Sequence, residues 1–409
     1  MSIMNILFID INFPGRFEKI AEELAKNPSN SVVFVTHQSE TTIKGVKKFF
    51  YTIPELKKEF CHPYAKALED VVFHGEFAAE EALRLRAKGF KPDIIIGSAT
   101  GASMFVKDSF PNVPYLCYYE WFNSIKDPVY NFAHLSLNED QKVRLKCENS
   151  NKLIELYTCD AGITPTQWQK EQFPEEFHQK IKVIADGVDT DLFKPNSDAK
   201  FVIPGTNIEL SAKDEVITYG TKGIEYFRGF PEFIVAVEEL LVKRPNAHFV
   251  ITGEDKIYHK LIDDEVKSYK EMAVKNLNLD MNRVHFVGTL PKEEYAKLLQ
   301  ISSAHVYLTV PYRLSKSMLD AMSTGCLVVA SDTAPVLEVI KDNYNGVLVE
   351  FPDFEKIVEK LIYVLDNKDK MQEIRDNARK TILESYNIKK TLPQYVDYIN
   401  GLIREKEQA

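Results

Sequence analysis

The sequence predicts an α/β protein of two doubly wound domains, each a parallel sheet with helices on both faces. Short apolar runs recur along the chain. In the first half they are NILFIDI (5–11), VVFVT (32–36), DIIIG (93–97), VPYLCYY (113–119), AGITP (161–165) and KVIAD (182–186). The second half repeats the pattern with VITYG (216–220), HFVIT (248–252), VHFVG (284–288), AHVYLT (304–309), CLVVAS (326–331) and GVLVE (346–350). Runs apolar on both faces fit strands covered on both sides. Amphipathic stretches such as RFEKIAEELAK, PEFIVAVEELLVKR and KEEYAKLLQIS alternate with them, which is the α/β order. Finally, 409 residues exceed what one core usually organises.

The boundary falls where the pattern lapses. Residues 190–214 show no helical period and contain Pro195, Pro204 and Gly205, so they read as a linker. The expected domains are 1–192 and 193–385. A final helix, about 386–409, is able to pack back on the first domain. Two such sheets facing each other leave a cleft lined by strand ends, and ligands of open α/β sheets bind at those ends.

The net charge of −9 supplies no footprint for duplex nucleic acid. Cys61, Cys117, Cys147, Cys159 and Cys326 form no C-x-x-C pair and read as free thiols of a reducing compartment. MSIMNILFIDINF carries Asp10 and Asn12 and lacks a basic leader, so it reads as a first strand and not as a signal peptide. The expectation is a soluble, cytoplasmic protein with weak or absent membrane association. Self-association stays open.

Three loops after strands hold the unusual residues. GTKGIEYFRGFPEF (220–233) combines Gly220, Gly223 and Gly229 with Lys222 and Arg228, and Pro231 suits the first turn of a helix. Glycine turns expose amides, and Arg grips phosphate bidentately, so a diphosphate would be held well. A solvated turn fits the same composition. In the stretch TVPYRLSKSMLDAMSTGCLVVASD (309–332), Asp320 either completes a capping box with Ser317 or accepts hydrogen bonds from a ribose diol. FPGRFEKIAEEL (13–24) opens on the tight turn Pro14–Gly15, which also fits an ordinary βα turn. The histidines show no metal spacing, and no nucleophile elbow appears.

Together these stretches resemble the family 4 retaining glycosyltransferases of the GT-B fold, over nearly the whole chain. NFPGRF, YYEWF, VIADGVDTDLFKP, EYFRGFPEF and LDAMSTGCLVVASDTAPVLEVI carry the likeness in order. The resemblance implies that the C-terminal half binds a nucleotide sugar and the N-terminal half an acceptor, which is a carbohydrate, lipid-linked or protein molecule. It gives Lys222 and Arg228 the diphosphate, and Asp320 the ribose in place of the second Glu of a Glu-seven-residues-Glu motif. Arg313, Leu314, Ser315 and Lys316 become the loop approaching sugar and phosphate, and Gly15, Gly220 and Glu225 join the donor side.

Tyr312 stands where the motif's first Glu would be. In SATGASMF, Ser98 and Thr100 occupy the place of a family His, and Ser98 joins Lys222 and Arg228 as a catalytic candidate. Glu120 of YYEWF is assigned to the acceptor side. The implied reaction is a transfer with retention that uses no metal cofactor. The alternative is a weak or inactive relative that acts as binding partner of an active transferase.

Overall fold

Apolar strands need cover on both faces, and parallel pairing with helical crossovers supplies it. The computed structural model describes residues 3–39, 41–55, 62–123, 128–261 and 265–408. Cys61 lies outside the described residues; Cys117, Cys159 and Cys326 are buried free thiols, and Cys147 is half-buried.

The chain divides into two units: Met1–Asp127, Leu135–Ala185 and Thr391–Ala409 make the first, Pro128–His134 and Asp186–Lys390 the second. The first is built on strands β1 (Asn5–Ile9), β2 (Ser31–Thr36), β3 (Val46–Phe50), β4 (Ile94–Ser98), β5 (Tyr115–Tyr118), β6 (Ala161–Thr164) and β7 (Ile181–Val183). They lie in the order β3-β2-β1-β4-β5-β6-β7 and pair parallel throughout. Helix α1 (Glu18–Ala25) buries Ile20, Ala21 and Leu24, and α2 (Lys66–Ala87) buries Gly75, Ala78, Ala82 and Leu85; spacings of three and four put each set on one face.

The second unit holds β8 (Glu215–Gly223), β9 (Ala247–Glu254), β10 (Val284–Gly288), β11 (Ala304–Tyr307), β12 (Val328–Ser331) and β13 (Val347–Val349), in the order β10-β9-β8-β11-β12-β13. Its pairs are also parallel. Helices α3 (Phe230–Lys243), α4 (Lys292–Ile301) and α5 (Lys316–Ser323) follow β8, β10 and β11. In both units the order reverses beside the first strand, between β1 and β4 and between β8 and β11, which creates the switch point of a doubly wound sheet.

Each apolar run of the sequence is a strand. The pattern omits β3, VKKFF, whose alternation carries Lys47 and Lys48 and leaves it half-exposed at the edge of its sheet. The stretch read as a linker is also structured. Lys200–Val202 pairs antiparallel with Glu209–Ser211, and Phe201, Ile203 and Leu210 bury themselves against Val216, Val250, Leu298 and Ile301. Pro204 and Gly205 make the turn between them; Gly205 sits at φ 76° and Thr206 N–H donates to Ile203 O at 3.1 Å. The signal there is a period of two over three residues, too short to outweigh Pro and Gly.

Between β5 and β6, among the described residues, run three helices the sequence pattern leaves unmarked, Pro128–Phe132, Glu139–Glu148 and Ser150–Thr158. The final helix, α6 (Ile388–Gln408), buries Ile399 in the core of the first unit, with Leu392, Tyr395, Val396 and Leu402 packed around it.

Candidate functional site

Beyond the carboxyl ends of β8, β9 and β10 lies a cavity of about 340 Å³. Gly220, Thr221 and Lys222 line it from the end of β8, Thr252 and Glu254 from β9, and Thr289 and Leu290 from the residues after β10. Tyr295 of α4 and Ser315, Ser317 and Asp320 at the start of α5 complete the wall. The strand order therefore puts polar groups from four βα connections around one space beside the switch point.

Close backbone approach shapes the cavity's edge. A Cβ on Gly223 would stand 2.3 Å from the carbonyl oxygen of Lys256, so only glycine lets the segment after β9 lie against β8. That segment carries Tyr258, and the exposed Lys222 holds its ammonium 4.1 Å from the centre of the Tyr258 ring. One cation thus stands at the cavity on an aromatic support.

Asp320 lies in the same wall. Ser315 caps α5, its hydroxyl accepting from Ser317 N–H, and Asp320 sits beyond the first turn. The capping reading of Asp320 is therefore overturned: its Oδ1 is buried and has no hydrogen-bond partner among the described residues. Burial raises its pKa to about 7, against the pull of Lys316 and Lys292, while Asp189 pushes the same way as burial. A buried acceptor left unmet inside a cavity is suited to a hydroxyl donor from a ligand.

Arg228 is placed differently from Lys222. It does not line the cavity; its Nη1 donates to Arg313 O at 2.8 Å and to Thr309 Oγ1 at 3.3 Å. It pins the turn leading into α5, whose Ser315 N–H is taken by the Tyr307 hydroxyl at 2.7 Å. Leu314 packs on the core under α5.

Glu225 does not face the cavity either. Its carboxylate accepts from the amides of Tyr258 and His259 at 2.7 and 2.9 Å and pairs with His259 Nδ1 at 2.8 Å. Burial pushes its pKa up, but the His259 ring and these amides outweigh burial and hold it below the usual value. His259 Nε2 takes a hydrogen bond from Arg313 Nη2 at 2.6 Å. Because Arg only donates, Nε2 is the acceptor and Nδ1 carries the proton toward Glu225. Tyr312, at the motif's first-Glu position, packs its ring edge-on against Phe227 at 5.0 Å and beside His259 at 5.2 Å.

In the first unit the matching switch point gathers Asp10, Ser98 and Thr100. Ser98 Oγ donates to Asp10 Oδ2 at 2.8 Å and lies 2.9 Å from Thr100 Oγ1. Burial raises the Asp10 pKa, while Arg16, Ser98 and nearby amides pull it back. Gly15, at φ 54°, faces the Asp10 carboxylate, and Arg16 next to it forms an ion pair with Glu120 and stacks 4.5 Å from the centre of the Tyr118 ring.

No sequence motif singles out Asp10 or Arg16 as site residues, nor Thr252, Glu254, His259 and Tyr295. Position was the available signal for Asp10, Thr252 and Glu254, which stand where apolar strands end. Tyr295 and His259 carried none, since one lies in an ordinary helical pattern and the other in a loop.

Two doubly wound units, with a polar cavity at the strand ends of the second, are the architecture of the GT-B fold. Residues 28–193 match the family model described as "Glycosyl transferase family 4 group", and residues 206–381 the one described as "Glycosyl transferases group 1". The chain belongs to this family.

Among relatives, it is 29% identical over 143 residues to an uncharacterised glycosyltransferase of Methanocaldococcus jannaschii, covering 34% of this chain and 35% of that protein. It is 26% identical over 235 residues to the UDP-Gal:alpha-D-GlcNAc-diphosphoundecaprenol alpha-1,3-galactosyltransferase of Escherichia coli, over 55% of this chain and 56% of the relative. The chain thus spans between about a third and just over half of these relatives.

Solved structures match it more fully. A sucrose-phosphate synthase from Thermosynechococcus elongatus gives a TM-score of 0.73 at 16% identity, over 98% of this chain and 100% of its own. HepE of Anabaena in complex with UDP-glucose gives 0.68 at 15% identity, over 97% and 100%. At such identities the likeness is one of fold.

Proposed function

We propose that this protein transfers a sugar from a nucleoside-diphosphate sugar to an acceptor hydroxyl, with retention at the anomeric carbon and without a divalent ion. The observation that carries the reading is the cavity of the second unit, with Lys222 at its edge and, in its wall, the buried Asp320 carboxylate, whose Oδ1 has no partner among the described residues. A nucleotide diphosphate needs a cation and exposed amides for its phosphates, and a carboxylate for its ribose. Printed names and titles of relatives lend support: the E. coli relative uses UDP-Gal with a lipid-diphosphate acceptor, and HepE was crystallised with UDP-glucose.

In the proposed reaction the acceptor oxygen bonds to the anomeric carbon as the bond from that carbon to the phosphate oxygen breaks. The departing phosphate takes the acceptor's proton, and nucleoside diphosphate leaves. Negative charge develops on the leaving group, so preorganised positive charge is the main catalytic requirement. Lys222 supplies it directly. Arg228 adds positive field and fixes the turn that carries Arg313, Leu314, Ser315 and Lys316. The acceptor is a glycan, lipid-linked or protein hydroxyl, and Ser98, Thr100 and Glu120 of the first unit are proposed to serve its side.

A second reading, a sugar-nucleotide-binding partner of an active transferase, is favoured by Tyr312, an aromatic packed on Phe227 and His259 where the family carries a carboxylate. Incubation of the full chain with nucleotide sugars and cell-derived acceptors, with and without EDTA, separates the two. The transfer reading expects a glycosylated product of retained anomeric configuration by NMR, formed equally in EDTA. Nucleotide-sugar binding with no transfer to any acceptor supports the partner reading instead.

A further inference from the structure

The wall that contains Asp320 holds a second polar group without a partner. The Tyr295 hydroxyl is buried and makes no hydrogen bond among the described residues. Its ring is held on α4, edge-on to Phe193 at 6.2 Å. The hydroxyl reaches the end of β8, where it stands 2.7 Å from the point a Cβ on Gly220 would occupy. Gly220 is not in the left-handed region, so its missing side chain serves space: it admits the phenol oxygen.

Gly220, Tyr295 and Asp320 line the same cavity. The Asp320 charge also acts on the phenol, adding to burial in pushing the Tyr295 pKa up. Phenylalanine would fill the same volume without burying an unmet hydroxyl, so the oxygen acts against stability in the ligand-free protein. Polar groups that break a packing rule in this way concentrate at functional sites.

We propose that the Tyr295 hydroxyl is a specificity-determining contact to the ribose of the donor, so that the cavity selects ribonucleotides over deoxyribonucleotides. This rests on the nucleotide-sugar reading above. The chemistry of the pair picks out a vicinal diol. An ionised carboxylate only accepts hydrogen bonds, whereas a phenol donates one and accepts one. A diol offers two hydroxyls that each do both: one donates to Asp320 while the other accepts from Tyr295. A phosphate oxygen satisfies the phenol but repels the carboxylate. Removing one sugar hydroxyl leaves one of the two protein groups buried and unmet, and sites built this way reject the truncated ligand.

The test compares wild type with Tyr295→Phe by thermal denaturation without nucleotide. It then titrates both calorimetrically with UDP, GDP, ADP and CDP and with the 2′-deoxy and 3′-deoxy forms of whichever binds best. The Phe variant is expected to be at least as stable as wild type without nucleotide. Wild type should bind the ribonucleotide roughly three- to tenfold more tightly than at least one deoxy form, and Tyr295→Phe should lose that preference by weakening ribonucleotide binding. A Phe variant that is less stable without ligand gives the hydroxyl a structural role and overturns the proposal. So does a preference that survives the substitution, or a loss equal for ribose and deoxy forms, which would place the contact off the sugar. If wild type binds no nucleoside diphosphate, the nucleotide-sugar reading itself falls, an outcome distinct from the others.

Discussion

Asp320 and Glu155 show how one physical cause yields two different residues. Burial raises both carboxyl pKa values to about 7. Glu155 is enclosed in the core of the first unit, where Oε2 accepts from Tyr115 at 2.8 Å, Cys117 at 2.9 Å and Ser103 at 3.2 Å. It knots one side of the sheet together. Glu155 Oε1 and Asp320 Oδ1 both lack a hydrogen-bond partner among the described residues, but Asp320 has a cavity beside it.

The stability consequence of Asp320 has a definite sign. An Asp with a pKa of 3.8 in the unfolded chain and about 7 in the fold favours the protonated native form. Between those values the unfolded chain binds fewer protons, so stability falls as pH rises from about 4 to 7. The loss at pH 8 is on the order of 4 kcal/mol. Asp320→Asn should therefore be more stable than wild type at pH 8 by a few kcal/mol, with the gain gone at pH 4, as measured by denaturant titration at both values. Equal destabilisation at the two pH values would mean the carboxylate has a structural partner.

From the sequence, the placement of Lys222 and Asp320 near strand ends was legible, because one lies in the loop after VITYG and the other in the first turns of the helix that follows AHVYLT. Whether Asp320 capped a helix or faced a cavity was not, since Ser315 and Ser317 are both credible caps and the choice depends on packing.

At the scale of elements, the turn between β8 and α3 depends on Gly229. It sits at φ 64°, and a Cβ there would stand 2.5 Å from Leu308 Cβ and 2.9 Å from the Phe351 ring. Gly205 in the hairpin has a similar φ, 76°, but nothing within 4 Å of its Cβ position. The pair separates strain from crowding. Gly205→Ala should cost about 1 kcal/mol from backbone conformation alone. Gly229→Ala should cost roughly 3 kcal/mol because overpacking adds to it. Equilibrium denaturation of the two variants measures the difference, and equal losses would contradict the crowding at Gly229.

Elements are legible in the sequence where the signal is a contiguous apolar run and hidden where polar or turn residues share it. The strands buried on both faces declared themselves. β3 did not, because VKKFF spends two of five positions on lysine at a sheet edge. The hairpin at 200–211 hid behind Pro204 and Gly205, which are its turn. Helix Glu139–Glu148 is mostly polar and buries Leu145 alone, so its capping box of Asn138 and Gln141 was the stronger cue.

For the whole molecule, the two sheets share one order over six strands, the first adding a seventh at its edge, yet their switch points differ in chemistry. In the first, Ser98 is spent on Asp10 and Glu120 on Arg16. In the second, Lys222, Tyr295 and Asp320 border open volume. That asymmetry agrees with a division of labour in which the second unit receives the charged nucleotide. The chain's net charge of −9 makes a local cation the more necessary for an anionic ligand. No helix among the described residues is long and apolar enough to cross a membrane.

The most direct measurement is calorimetric titration of the full chain with nucleoside diphosphates, repeated on Lys222→Ala and Asp320→Ala after circular dichroism has shown both folded. The account predicts saturable binding of at least one nucleoside diphosphate by wild type and a loss of tenfold or more in each variant, about 1.4 kcal/mol or greater. Unchanged affinity in both variants would contradict it.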